Sequence, residues 1–250
     1  MAYKTIPTRA RIGFIIPSSN RMVEPQAQQH MPQGVQAHFT RIGMTNRHKA
    51  PLDVLLPRIL DAAELLADSQ CDVTVLQCTG TSMSGGVDME AHVIREIERA
   101  TGKPAISAAS SLTAAFRTLG AKKLVFISET KQDDHEKKKA FLVEAGYNLI
   151  ADKAVGLSGT DEYCIMPPEL WFDTAMSMRR DDADAYFISC ANIRSIDVIQ
   201  ALEKELNKPV VTSNQAAFWC SLRMAGIQDV VPSLGRLMQH DVVRAATAAE

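Results

Sequence analysis

The chain carries no excess of either charge. Against 27 lysines and arginines stand 29 aspartates and glutamates, a net of −2 over 250 residues. Without a field of one sign it has no nonspecific hold on nucleic acid or on an anionic membrane surface. Long hydrophobic runs are missing as well: the longest are strand-sized, too short to span a bilayer. The N-terminal stretch MAYKTIPTRARIGFII has basic residues, but its apolar run stops at Pro17 and no small-residue cleavage site follows. That pattern argues against a signal peptide. Cysteine is sparse and odd in number, five in all. This excludes a disulfide scaffold and, with no export signal, predicts reduced thiols in a cytoplasm. There is no Gly-x-Gly-x-x-Gly or Walker motif, so a phosphate-bearing cofactor has no evident cradle. No Cys-x-x-Cys pair occurs, and the histidines His30, His38, His48, His92, His135 and His240 show no ligand spacing. No metal is therefore expected.

What is present is the make-up of a globular protein, 46% apolar and 22% charged, with a length that hides roughly three quarters of its unfolded surface. Short apolar runs alternate with helical periodicity. Strands are predicted at Arg11–Ile16, Ala37–Ile42, Asp72–Cys78, Pro104–Ser107, Lys123–Ser128, Asn148–Ala151, Ala185–Cys190 and Pro209–Thr212. Helices are predicted over 52–69, 87–101, 111–120, 133–146, 168–180 and 195–206. Gly102, Gly120, Gly146 and Gly226 stand where helices should stop, as C-terminal caps. Such alternation implies an α/β protein with mainly parallel sheets flanked by helices.

The chain also repeats itself. Asp72-Val-Thr-Val-Leu-Gln-Cys78 matches Asp184-Ala-Tyr-Phe-Ile-Ser-Cys190. Each is followed by a helix, then by a Lys-Pro strand at Lys103-Pro104 or Lys208-Pro209, then by an alanine-rich helix ending in glycine. A period of roughly 110 residues is too long for a solenoid. It implies two lobes related by a pseudo-twofold axis, 1–121 and 122–229, with a helix over 230–250 expected to return to the first.

In each half a cysteine ends a strand and a small or polar loop follows: Cys78-Thr79-Gly80-Thr81-Ser82 and Cys190-Ala191-Asn192. Ligands of open parallel sheets bind beyond the carboxyl ends of the strands. Two equivalent thiols are thus expected to meet across one cleft. The two turns are expected to lead into helix N-termini whose N–H groups face an anion and lower a cysteine pKa. A lone cysteine in an apolar strand is most often a small core residue, and Cys71, Cys164 and Cys220 are read so. Pro17-Ser18-Ser19-Asn20 forms a third strand-end loop, read either as an ordinary turn or cap or as a carboxylate-binding loop. Lys137-Lys138-Lys139 is read as a solvated helix face balanced by Asp133, Asp134 and Glu136.

The Pro-Ser-Ser-Asn loop, Cys78-Thr79, Cys190, the segment Phe187-Ile-Ser-Cys-Ala-Asn-Ile-Arg194 and Lys208-Pro-Val-Val-Thr-Ser-Asn-Gln215 together resemble the maleate cis–trans isomerase and arylmalonate decarboxylase branch of the aspartate/glutamate racemase superfamily. The resemblance covers nearly the whole chain. It implies two flavodoxin-like lobes, no cofactor, a small carboxylic acid as substrate and a homodimer or tetramer. It implies Cys78 as nucleophile, Cys190 as acid and base, and Asn20 as a carboxylate ligand. Ser18, Ser19, Thr79, Gly80, Thr81, Thr130, Ala191 and Asn192 are expected around the substrate. Decarboxylases of this branch keep only the second-lobe cysteine, whereas racemases and maleate isomerases keep both, as here. One departure stands out: Glu129 occupies the place of a carboxylate-binding tyrosine, and an anion there would repel a second substrate carboxylate. Thr130 or the Ser158-Gly159-Thr160 loop are candidates to replace that tyrosine's hydroxyl. The leading expectation is isomerisation of an unsaturated acid. Racemisation of an amino acid or hydantoin, decarboxylation of a malonate-like acid, and ligand binding without chemistry are the alternatives.

Overall fold

A computed structural model describes residues 7–243. In the first half the chain runs β1 (Ala10–Pro17), α1 (Val23–His30), β2 (Val35–Ile42), α2 (Leu52–Asp68), β3 (Val73–Leu76), α3 (Thr79–Met83), α4 (Gly86–Thr101), β4 (Ala105–Ser107) and α5 (Ala108–Thr118). The second half follows as β5 (Lys123–Ser128), α6 (Gln132–Glu144), β6 (Asn148–Ala154), α7 (Thr160–Ile165), α8 (Pro168–Ser177), β7 (Ala185–Ile188), α9 (Ile199–Leu206), β8 (Val210–Thr212) and α10 (Ser213–Met224). The strands form two four-strand sheets, ordered β2-β1-β3-β4 and β6-β5-β7-β8, parallel at every pairing. One order maps onto the other by adding four to each strand, so the repeat read in the sequence is a repeat of topology.

The central strands explain themselves. Val73–Leu76 and Ala185–Ile188 are buried at every position, as expected of parallel strands covered on both faces. On α2 the buried residues Leu52, Leu55, Ile59, Ala62, Ala63 and Leu66 recur at helical spacing and turn one stripe to the sheet. Both alanine-rich helices start from a capping box, at Ser107 for α5 and at Thr212 for α10. The box satisfies two otherwise orphaned donors and fixes each helix start directly at the end of its strand.

These two helices join the halves. Phe116 of α5 packs edge-on against Phe187 of β7 at 5.6 Å between centroids. Phe218 of α10 does the same to Phe14 of β1 at 5.8 Å. Each half thus inserts an aromatic ring into the other's sheet, and one apolar core runs unbroken through both. Phe218 is fully buried, so Phe218→Ala is expected to cost about 3–5 kcal/mol through lost burial and cavity formation. Chemical denaturation checks it; a loss below about 1 kcal/mol would mean the inter-sheet packing is dispensable.

The predicted strands all form, but β3 and β7 end at Leu76 and Ile188, so Cys78 and Cys190 lie two residues past them. Within the expected 230–250 helix, residues 230–243 instead make two 3-10 turns, Pro232–Leu234 and Arg236–Gln239. Pro232 and Gly235 interrupt any longer helix, and residues 244–250 lie outside the described part. The tail is organised instead by buried Arg223, which donates to the carbonyls of Ile227, Asp229, Met238 and His240. At Val243 it reaches α5, bonding Thr118 and Arg117.

Candidate active site

Both sheets point their carboxyl ends at one cavity of about 320 Å³, lined by Cys78 and Cys190 together. Each thiol is nearly closed off from outside, with 8% of its residue exposed. Cys78 is the residue before α3, and its sulfhydryl donates to Thr81 Oγ1 at 3.1 Å. Cys190 has φ +116°, a region that non-glycine residues rarely adopt and that costs of order 1–3 kcal/mol. That backbone is held by its own N–H on Ser213 Oγ at 3.0 Å, while the Asn192 N–H donates to the Cys190 sulfur at 3.3 Å. A buried polar network stitches the two halves beneath the thiols. Asn20 Nδ2 donates to Ala191 O, Gln26 Nε2 to Ile193 O, Asn214 Nδ2 to Gln26 Oε1, and Gln77 Nε2 to Asn214 Oδ1, all within 2.6–3.0 Å.

Burial pushes both thiols above their ordinary pKa, Cys190 well above it. For Cys78, the Thr81 hydroxyl and amide and the Lys138 ammonium oppose the rise. For Cys190, the Glu129 carboxylate adds to it, against Lys138 and the Asn192 amide. The expectation that backbone amides would hold the cysteines as thiolates is corrected: the amides are present, but desolvation outweighs them. Nor do both turns open helices. α3 starts at Thr79 itself, whereas a 3-10 turn, Ser195–Val198, follows Ala191-Asn192 only after two further residues.

Glu129 does not stand alone. Its two carboxylate oxygens accept from Lys138 Nζ at 2.8 and 2.7 Å, and both side chains are buried, 7% and 5% exposed. Lys138 therefore leaves the solvated face assigned to it from its charged neighbours and lines the cavity. Its position follows from the preceding turn of α6. His135, fully buried, stacks on Phe126 and lies 2.6 Å from Ser128 Oγ and 2.9 Å from Asp152 through its two ring nitrogens. Three residues on, Lys138 shares that inward face. His135, Glu136 and Asp152 form the metal-like cluster found among the described residues, but both histidine nitrogens already have protein partners.

Of the residues expected here, Ser19, Asn20, Thr79, Gly80, Thr81, Glu129, Thr130, Ala191 and Asn192 line the cavity with the two cysteines, as do Ser158, Gly159 and Thr160. Ser18 does not. It is exposed and borders a separate surface groove with Arg41 and His48, because the turn that follows β1 at Pro17 sends it outward. Asn20 is half committed: its Oδ1 caps α1 through the amides of Met22 and Val23, leaving one Nδ2 hydrogen beyond the bond to Ala191. Thr79 Oγ1 is buried without a partner. Cys71 and Cys220 are core residues, raised by burial to about 11 and about 12. Cys164 is not; it is half-exposed on α7, 3.4 Å from an Arg21 guanidinium nitrogen.

Tyr163 of α7 also lines the cavity, and burial near Glu129 raises its phenol. No sequence signal singled it out. Its short helix closes the cleft mouth and is tied to the first half by Arg21 to Asp161 and by Asn46 to Thr160 at 3.1 Å. Lys49 and Asp134 bridge the mouth at 2.8 Å.

A family model for arylmalonate decarboxylase matches residues 12–238. The chain belongs to that family. It is 24% identical to the arylmalonate decarboxylase of Bordetella bronchiseptica over 232 residues, covering 92% of this chain and 96% of that one. It is 25% identical to the maleate isomerase of Nocardia farcinica over 241 residues, with the same coverage. A maleate isomerase from Pseudomonas putida, solved with maleate, superposes with a TM-score of 0.87 at 24% identity, covering 94% and 99%. A Nocardia farcinica isomerase carrying a cysteine-to-serine change and a covalently bound succinylcysteine intermediate superposes at 0.83, covering 92% and 98%. The family's fold, two flavodoxin-like lobes around one cleft, is the fold of this chain.

Proposed function

We propose that the protein is a cofactor-independent cis–trans isomerase of a small unsaturated carboxylic acid. The observation that carries this is the pair of buried thiols on one cavity, one from each half. Relatives named for cis–trans isomerisation, and the succinylcysteine of one of them, support the same chemistry.

In this reading the Cys78 sulfur, as thiolate, adds to one alkene carbon. The displaced π electrons move toward the neighbouring carbon and its carboxyl group. The Cys190 thiol protonates that carbon, leaving a saturated adduct whose central bond is single and free to turn. The Cys190 thiolate then takes the proton back, Cys78 departs with its bonding pair, and the trans alkene forms. A thiolate suits both halves of the cycle, since it is a strong nucleophile and a good leaving group. The division of labour follows the surroundings: Lys138 favours and Glu129 opposes charge on both sulfurs, but Thr81 favours it on Cys78 alone and Glu129 weighs more on Cys190. The amides of Thr79, Gly80 and Thr81 precede the first helical bond of α3, from Ser82 N to Cys78 O. Those of Thr79 and Gly80 are placed to face the charge developing on the carboxyl group, while that of Thr81 faces the Cys78 sulfur.

A racemase would use the same thiols as a base and an acid on opposite faces of one carbon. Turnover in heavy water separates the two. Racemisation must bring solvent deuterium to the reacting carbon of recovered substrate and product alike. Addition and elimination must give trans product from a cis alkene.

The pH dependence has a definite sign. The resting cysteines are thiols raised above their ordinary value, and addition requires one thiolate. Below the raised pKa of Cys78 the thiolate fraction grows about tenfold per pH unit. Accordingly kcat/KM is expected to climb steadily between about pH 6 and 9 with a slope near one. A flat profile over that range would exclude a resting thiol as the nucleophile.

A further inference from the structure

We propose, resting on the isomerase reading above, that the Glu129–Lys138 pair recognises a carboxamide, and that the substrate is the half-amide of a cis-unsaturated dicarboxylic acid. The argument is one of counting donors, acceptors and charge. An ammonium group has three hydrogens and a carboxylate has about four lone-pair sites. Lys138 Nζ gives one hydrogen to each oxygen of Glu129. One hydrogen remains, and of the two remaining lone pairs one faces the Cys190 thiol, leaving one for a substrate. The pair lines the cavity, so it offers a substrate one donor and one acceptor side by side, with no net charge.

Three kinds of substrate end group can be set against it. A second carboxylate meets Lys138 favourably, but it also meets the buried Glu129 anion, and like charges are costly beside a buried group. An ammonium meets Glu129 but places a second cation beside Lys138. A carboxamide is neutral, donates N–H to Glu129 and accepts through its oxygen from Lys138, so both remaining valences are used and no charge is added. A buried donor or acceptor left without its partner costs about 1–3 kcal/mol, which is what makes such a site discriminate.

The wall of the cavity contributed by the first half differs in kind. Before residue 121 it carries no Asp or Glu. It offers the Lys49 ammonium and the spare Nδ2 hydrogen of Asn20. These are donors for a carboxylate. A wall with donors and no acidic group, together with a charge-neutral pair suited to an amide, defines a monoanion.

The test measures binding and turnover separately. Succinate and its half-amide are saturated probes that cannot react, and their affinities are read by calorimetry. Maleate and its half-amide are read by formation of the trans product. The half-amide is expected to bind wild-type protein at least about tenfold more tightly than the diacid, with a kcat/KM advantage of about 100-fold. In Glu129→Gln, Lys138 becomes a free cation and the preference is expected to reverse toward the diacid. In the double variant Glu129→Gln, Lys138→Gln, which buries no charge, the wild-type preference for the half-amide is expected to be lost. Equal or tighter diacid binding by wild-type protein, or a ratio unmoved in both variants, overturns the proposal. Half-amide preference in binding without any trans product would sink the isomerase reading and leave the recognition standing. Isomerisation of the diacid with no half-amide preference would do the reverse.

Discussion

Replacing Cys78 by alanine is expected to lower kcat by at least about 10⁴-fold while leaving the affinity for a saturated substrate analogue within about threefold of wild type. The size follows from covalency. Without a nucleophile the alkene keeps its double bond, and no arrangement of the remaining groups frees its rotation. Binding is expected to survive because the proposed contacts lie elsewhere, at Thr79, Asn20 and the Glu129–Lys138 pair. Folding is expected to survive as well. Cys78 is outside the strand, bonds only Thr81 through its sulfur, and sits on an existing cavity, so the substitution enlarges a space already present. The measurement is product formation under saturating substrate, paired with calorimetry. Turnover within about tenfold of wild type would remove Cys78 from the chemistry.

Changing Cys190 to serine is expected to act differently, lowering turnover by about 10³-fold and causing the adduct on Cys78 to accumulate. Serine keeps a hydroxyl for donation but is too weak an acid and base to return the proton at the rate of a thiol. Addition then outruns elimination. Intact-protein mass spectrometry should find the protein heavier by the whole substrate, with the label on the peptide containing Cys78. An adduct on the other cysteine in the reciprocal variant Cys78→Ser, and none here, would exchange the two roles. Absence of any adduct in both variants, together with deuterium entry from heavy water, would replace addition by proton transfer at carbon.

Much of the architecture was legible in the sequence for a simple reason. Strands buried on both faces must be short apolar runs, and a duplicated sheet must repeat them. Asp72–Cys78 and Ala185–Cys190 announced both facts. Strand ends were less legible, because Gln77 and Ser189 continue the pattern after the ladder has stopped. The cleft residues that could be read were those fixed by backbone position: Cys78, Cys190 and the small residues after them. Those that could not were placed by side-chain reach. Lys138 sits among Asp133, Asp134, Glu136, Lys137 and Lys139, and a charged run looks solvated from every side. Only the anchoring of His135 by Ser128 and Asp152 turns that one lysine inward. Tyr163 lies on a six-residue helix with no buried residue, so no periodicity announces where its ring points. Ser18 was grouped with Ser19 and Asn20 by adjacency, but the turn sends it outward. The positive φ of Cys190 arises from the Ser213 contact 23 residues away in the chain, and no local motif encodes it.

The unbroken core between the sheets has a bearing on how a molecule gets in. Phe116 and Phe218 each sit in the opposite half, so swinging the halves apart would strip both rings from their sockets at once. The vessel therefore has a fixed base. Admission is left to the brim, where the ties are solvent-facing charges and amides, Arg21 with Asp161, Lys49 with Asp134 and Asn46 with Thr160. Bonds of that sort are individually weak and loosen with added salt. Entry and exit become sensitive to ionic strength, while the shape that greets the guest does not.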